Sequence, residues 1–256
     1  MTLKEKVQNQ ENIKGTHVTL KDACITEMLS YLGYDFIWVD MEHTQLTCEE
    51  VYHHFMAAKA GGTPIMVRVP ANDLTVTKKV LEMGIDGIIF PMVQNYEHAV
   101  ELLSWTLYPP YGKRGCGPKG AVRYGLDREQ TFYEKGHLEL CRFIQIEQKS
   151  AALEADKIAQ IPYLDGCILG MHDLSGSIQR LGDIFCEENV KLAKVAIEAF
   201  HREKKTVGIS TSSTEEEILK RYHEMGISMI SAGADYSYIL ERAQKTLRTI
   251  RQVQAQ

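Results

Sequence analysis

A chain of 256 residues, 44% hydrophobic and 25% charged, carries enough apolar mass for a sizeable core, as one large domain or two small ones. Its net charge of −5 argues against nucleic acid or an anionic membrane surface as a partner. No run of about 18 apolar residues is present, and the polar start "MTLKEKVQNQENIKG" lacks the apolar centre of a secretion signal. Cysteines 24, 48, 116, 141, 167 and 186 are scattered with no C-x-x-C pair, so reduced, mostly buried thiols in a cytoplasmic protein are expected.

After residues 1–15, read as an N-terminal extension, short apolar runs alternate with longer segments of helical spacing. The runs are 17–20, 35–40, 64–69, 87–91, 142–147, 165–170, 206–210 and 227–233. Between them, "TCEEVYHHFMAAKAGG" and "DLTVTKKVLEMG" end in glycines that suit helix C-termini. Eight strands alternating with helices predict a parallel sheet with crossover connections, and the count fits a single-domain (β/α)8 TIM barrel better than an open doubly wound sheet. "GCGPKG" matches a nucleotide-loop pattern as text, but it follows a Pro-rich loop and not a strand. Residues 107–125 form the longest irregular stretch, a length usually reserved for function or a partner.

In such barrels the chemistry sits at the C-terminal ends of the strands. Here the second run ends "DMEH", the third carries Arg68, the fifth ends with Gln145 and Glu147, and the sixth is followed by His172 and Asp173. Strand alternation puts Gln145 and Glu147 on one face. A buried Glu147 must be protonated, ion-paired or metal-bound. Glu147 reads equally as a partner for Arg68, and Asp173 alone reads as a helix N-cap. Asp73 reads as a cap, His53 and His54 as solvated or packed, and His43 alone as a core histidine. Two hard oxygen ligands from different strands, with water and substrate completing the shell, are what Mg²⁺ or Mn²⁺ prefers.

"YDFIWVDMEHTQLT", "MVRVPANDLTVTKKVLEMGIDGIIFPMV", "YPPYGKRGCGP", "IQIEQKSAALE" and "GMHDLSGSI" occur in one order and spacing. Together they resemble the HpcH/HpaI family of metal-dependent class II pyruvate aldolases, over roughly residues 16–250. The resemblance implies a homo-oligomer, often a hexamer, whose last helix packs on a neighbour. It implies a divalent cation, Mg²⁺, Mn²⁺ or Co²⁺, on Glu147 and Asp173. His43 and Arg68 then match catalytic positions, and Gln145 and the Gly170–His172–Asp173 loop match substrate contacts. Glu82 stands where relatives often have an Asp that supports the histidine from a neighbouring subunit. "GMHD" departs from the family's G-P-x-D, which leaves His172 a ligand, a substrate contact or a bystander.

The reaction so implied is reversible cleavage of a 4-hydroxy-2-oxo acid to pyruvate and an aldehyde through a metal-bound pyruvate enolate, with His43 handling the C4 hydroxyl proton. No apolar run carries a lysine for a Schiff base. A CoA-ester lyase of the citrate lyase beta type and a non-catalytic metabolite-binding barrel are the alternatives. The basic loop with Lys113, Arg114, Lys119 and Arg123 is read either as solvated or as a subunit boundary where Arg123 meets an acidic aldehyde in a neighbour's site.

Overall fold

The computed structural model describes residues 1–255. Eight parallel strands close into a barrel in chain order: β1 Ile13–Val18, β2 Phe36–Asp40, β3 Ile65–Arg68, β4 Gly87–Phe90, β5 Cys141–Ile146, β6 Gly166–Leu169, β7 Thr206–Thr211 and β8 Met229–Ala234. Around it lie α1 Leu3–Gln8, α2 Cys24–Ser30, α3 Cys48–Gly61, α4 Leu74–Glu82, α5 Tyr96–Ser104 and α6 Glu129–Glu134. They continue as α7 Lys149–Leu153, α8 Ala155–Ala159, α9 Met171–Ser177, α10 Glu187–Arg202, α11 Glu216–Glu224 and α12 Asp235–Gln254. This is the (β/α)8 barrel expected from the alternation of runs.

Each strand is sorted by parity. One set of side chains (Phe36, Trp38, Met66, Ile89, Cys141, Phe143, Ile168 and Met229) fills the barrel interior. The alternate set, including Ile37, Val39, Ile65, Val67, Ile144 and Val207, packs outward against the helices. Residues 1–15 are built into the fold more deeply than an extension would be. Leu3 and Val7 of α1, with Ile13 of β1, belong to the interior cluster and close the foot of the barrel. β1 therefore begins four residues before the first apolar run, because Lys14 and Gly15 interrupt the pattern. It does bring a lysine into a strand. Lys14, however, is exposed and pairs with Asp35 at 3.3 Å, which leaves no role for it as a Schiff base inside the barrel.

Helix ends follow local chemistry. Thr47 and Glu50 form a capping box on α3, which ends at Gly62 with φ 76°. Asp73 caps α4 by accepting from the N–H groups of Thr75 and Val76. Asp173 does not cap α9. The helix starts at Met171 after Gly170, so the Asp173 side chain lies in the first turn, free of the N-terminus. His54 is packed, at 2.7 Å from Thr26 Oγ1, and His53 is exposed. All six cysteines are free, but only Cys141 and Cys167 are buried, fewer than expected. Among the described residues no helix is long and apolar enough to cross a membrane.

Candidate active site

The parity that fills the interior continues upward into polar residues. Trp38 is followed by Asp40, Met66 by Arg68, Phe143 by Gln145 and Glu147, and Met229 by Ser231, each pair two residues apart. A change from apolar to polar along one face places buried polar groups at the barrel mouth. Asp40, Arg68, Gln145, Glu147 and Ser231 are all buried.

Arg68 is the hub. Its Nε and Nη2 donate to the two oxygens of Asp40 at 2.8 and 2.7 Å, a bidentate pair that fixes the guanidinium plane. Its Nη1 donates to Gln145 Oε1 at 3.2 Å and lies 2.8 Å from Glu42 Oε2. The contact with Glu42 is one of charge without hydrogen-bond geometry, and Glu42 Oε2 is buried with no donor. Gln145 Nε2 in turn donates to Glu147 Oε2 at 2.7 Å. The expected direct ion pair between Arg68 and Glu147 is thus replaced by an amide relay, because Asp40 and Glu42 occupy the guanidinium. Burial opposes ionisation of Asp40, but the hydrogen bond and charge of Arg68 hold its carboxyl below the usual range.

Glu147 is the opposite case. Burial pushes its carboxyl up to about 7, and the carboxylates of Glu42 and Asp173 add to this. The Met92 N–H, donated to Oε1, and the charge of Arg68 oppose the rise without reversing it. Met92 takes a left-handed φ of 53° where its N–H makes this bond. Gly170 completes the cradle, since a Cβ there would lie 2.5 Å from Glu147 Oε2. Glu42 and Glu147, each raised by burial and by the charge of neighbouring carboxylates, form with Asp173 a hard-oxygen set that suits a divalent cation, and Glu42 adds a buried oxygen with no donor. Among the described residues no group of three or more His, Cys, Asp and Glu side chains converges as a ready-made cage. Two protein carboxylates with water and substrate remain the compatible arrangement.

Arg68, Gln145, Glu147 and Gly170 are brought into contact, and Asp173 acts on Glu147 and Glu42 through its charge. His43 and His172 are exposed on the rim, with His43 Nε2 3.7 Å from Glu42 Oε2. Glu82 is not brought there by its own chain. It ends α4, and Arg114 Nη2 holds it at 3.3 Å. Arg123, at φ 47°, is exposed and tied to Asp127. Sequence reasoning passed over Asp40, Glu42 and His17. The signal for the first two was their presence in "DMEH" beside the chosen His43.

The chain matches the family model described as HpcH/HpaI aldolase/citrate lyase over residues 14–241. It is 30% identical to the hydroxypyruvate/pyruvate aldolase of Chromohalobacter salexigens over 86% of each chain. It is also 30% identical to the 2-keto-3-deoxy-L-rhamnonate aldolase of Escherichia coli K12, over 68% of this chain and 66% of that one. The crystal structure of an HpcH/HpaI aldolase/citrate lyase family protein from Burkholderia cenocepacia superposes with a TM-score of 0.90 at 26% identity, covering 97% of this chain and 98% of that one.

Proposed function

The chain belongs to the HpcH/HpaI aldolase/citrate lyase family and is a carbon–carbon lyase of the aldolase kind; from that premise we propose that it reversibly cleaves a 4-hydroxy-2-oxo acid to pyruvate and an aldehyde. The observation that carries this reading is the Glu147 cradle, a carboxylate kept next to Glu42 and Asp173 by Gly170, Met92 and Gln145. Glu147 and Asp173 would hold a divalent cation, Mg²⁺, Mn²⁺ or Co²⁺, which would supply Lewis acidity at the 2-oxo group when bound.

The residues of this chain do the rest. Arg68, with its plane locked by Asp40, presents a fixed positive charge to the 2-oxo oxygen as negative charge builds there. Gln145 accepts from Arg68 and donates to Glu147, so the two charged groups are held in register. Gly170, His172 and Asp173 border the pyruvate half. His43 takes the C4 hydroxyl proton in cleavage and returns it in condensation, while the C3–C4 electron pair passes into the enolate. Assembly belongs to the same reading. Twenty-residue α12 buries only Asp235 and leaves Ile239, Leu240, Leu247 and Ile250 exposed, a face suited to a neighbouring subunit of a homo-oligomer, from which Glu82 and Arg123 would approach the site.

The test is pyruvate release from 4-hydroxy-2-oxo acids with and without EDTA. Loss on chelation and recovery with Mg²⁺, Mn²⁺ or Co²⁺ is expected. A rate indifferent to EDTA overturns the reading.

A further inference from the structure

Across the barrel mouth from β5, a cavity of about 460 Å³ opens, and His17, Asp40, His43, Arg68, Ser210 and Tyr236 are among the residues that line it. It shares Arg68 with the carboxylate cradle but faces β7, β8, β1 and β2. If pyruvate occupies the cradle, this cavity receives the aldehyde half, so the inference rests on the function proposed above.

His17 is the unusual group. It is buried and stacked on Trp38 at 4.6 Å, and each ring nitrogen meets a serine. Nε2 lies 2.9 Å from Ser210 Oγ and Nδ1 lies 2.9 Å from Ser231 Oγ. A register shift of β1 against β8 between Gly15 and His17 seats the ring there. Burial, with the Arg68 charge, lowers its pKa to about 3, so the ring is neutral and carries one N–H.

The tautomer follows from the two hydroxyls. Ser231 is fully buried, and among the described residues its hydroxyl meets no partner but Nδ1. A buried O–H without an acceptor is costly, so Ser231 donates to Nδ1. The ring proton is then on Nε2 and donates to Ser210 Oγ. Ser210 is half-buried on the cavity wall. One of its lone pairs is occupied by His17, and among the described residues its own O–H has no acceptor. That proton is directed by exclusion toward the cavity.

We infer that Ser210 is a specificity-determining hydrogen-bond donor for the aldehyde half, aimed by the positioning residue His17, and that it selects hydroxylated aldehydes over unsubstituted ones. Arg68, the buried cation on this cavity, already faces Asp40 and Glu42, so a carboxylate on the aldehyde gains little there. A hydroxyl oxygen gains the Ser210 proton.

The experiment compares kcat/KM for glycolaldehyde and acetaldehyde, each condensed with pyruvate in the presence of Mn²⁺. Wild-type enzyme favours glycolaldehyde. Ser210→Ala lowers that preference about tenfold, the effect of one lost hydrogen bond, by acting on glycolaldehyde alone. Ser210→Thr, which keeps the hydroxyl, retains it, and His17→Gln lowers it in the same direction. Equal losses on both aldehydes, or an unchanged ratio in Ser210→Ala, overturn the inference. Exchange of pyruvate methyl protons with D₂O separates the two levels. Exchange with an unchanged ratio removes Ser210 from substrate choice only, whereas no exchange in wild-type enzyme overturns the aldolase reading and this inference together.

Discussion

The two ends of the barrel handle charge differently. At the foot, Asp165 is met by Lys4 Nζ at 2.7 Å and Asp35 by Lys6 Nζ at 2.5 Å, and each also accepts a backbone N–H. At the mouth, Asp40, Glu42 and Glu147 share the guanidinium of Arg68, and Asp173 adds its charge to Glu42 and Glu147. At Asp35 and Asp165 the foot is balanced by the chain's own ammonium groups. The mouth is short of positive charge, and that deficit is maintained by close packing around Glu147. Balance marks the end that holds the fold together, and imbalance marks the end where the proposed chemistry lies.

The strongest way to break this contrast is Glu147→Gln. Metal-dependent pyruvate release should fall below about one-thousandth of the wild-type rate. The thermal midpoint should hold or rise, because the change removes a carboxylate that burial and its neighbours disfavour. A near-normal rate at ordinary metal concentration would end the two-carboxylate assignment. Next in size, Arg68→Lys should fold but lose about 10²-fold in kcat, since an ammonium cannot span Asp40, Glu42 and Gln145 at once. An unchanged kcat with pyruvate and a good acceptor would remove Arg68 from charge stabilisation.

The foot should respond in the other currency. Lys4→Met leaves Asp165 without its ammonium and should cost about 2 kcal/mol of unfolding free energy, with kcat unaltered below the midpoint. A loss of kcat with intact stability would reverse the roles given to the two ends. The smallest effect is on pH. Although burial opposes it, hydrogen bonds from Lys6 and Lys14 hold Asp35 below its ordinary 3.8. A carboxyl depressed on folding contributes stability that is complete above the ordinary value and is lost as pH falls through the lowered one. Asp35→Asn should therefore be less stable than wild type at neutral pH, with the gap closing below about pH 4 in denaturant titrations. A gap independent of pH would separate Asp35 from the acid response.

Much of this was legible in the sequence, for reasons that differ by element. Seven strands declared themselves because both faces are covered, which makes a parallel strand a continuous apolar run. β1 was misplaced because its inward side carries Gly15 and His17, and its start carries exposed Lys14. α1 escaped notice because it needs only Leu3 and Val7 to close the barrel. Gln145 and Glu147 were found by alternation within one strand. Asp40, Glu42 and the His17–Ser210–Ser231 chain were not, since their chemistry arises between strands far apart in sequence. Asp173 looked like a cap because a carboxylate near a helix start satisfies that role equally well in one dimension.

Gly170 has a consequence for mutational libraries. Its φ of −91° is open to any residue, so a screen that protects only glycines with left-handed backbones would leave the position free to vary. Every side chain placed there brings a carbon into the volume of the Glu147 carboxylate. Saturation at this codon should thus show a fitness profile with a single permitted letter, while Gly33, at φ 86° with open space around it, grades smoothly with backbone strain.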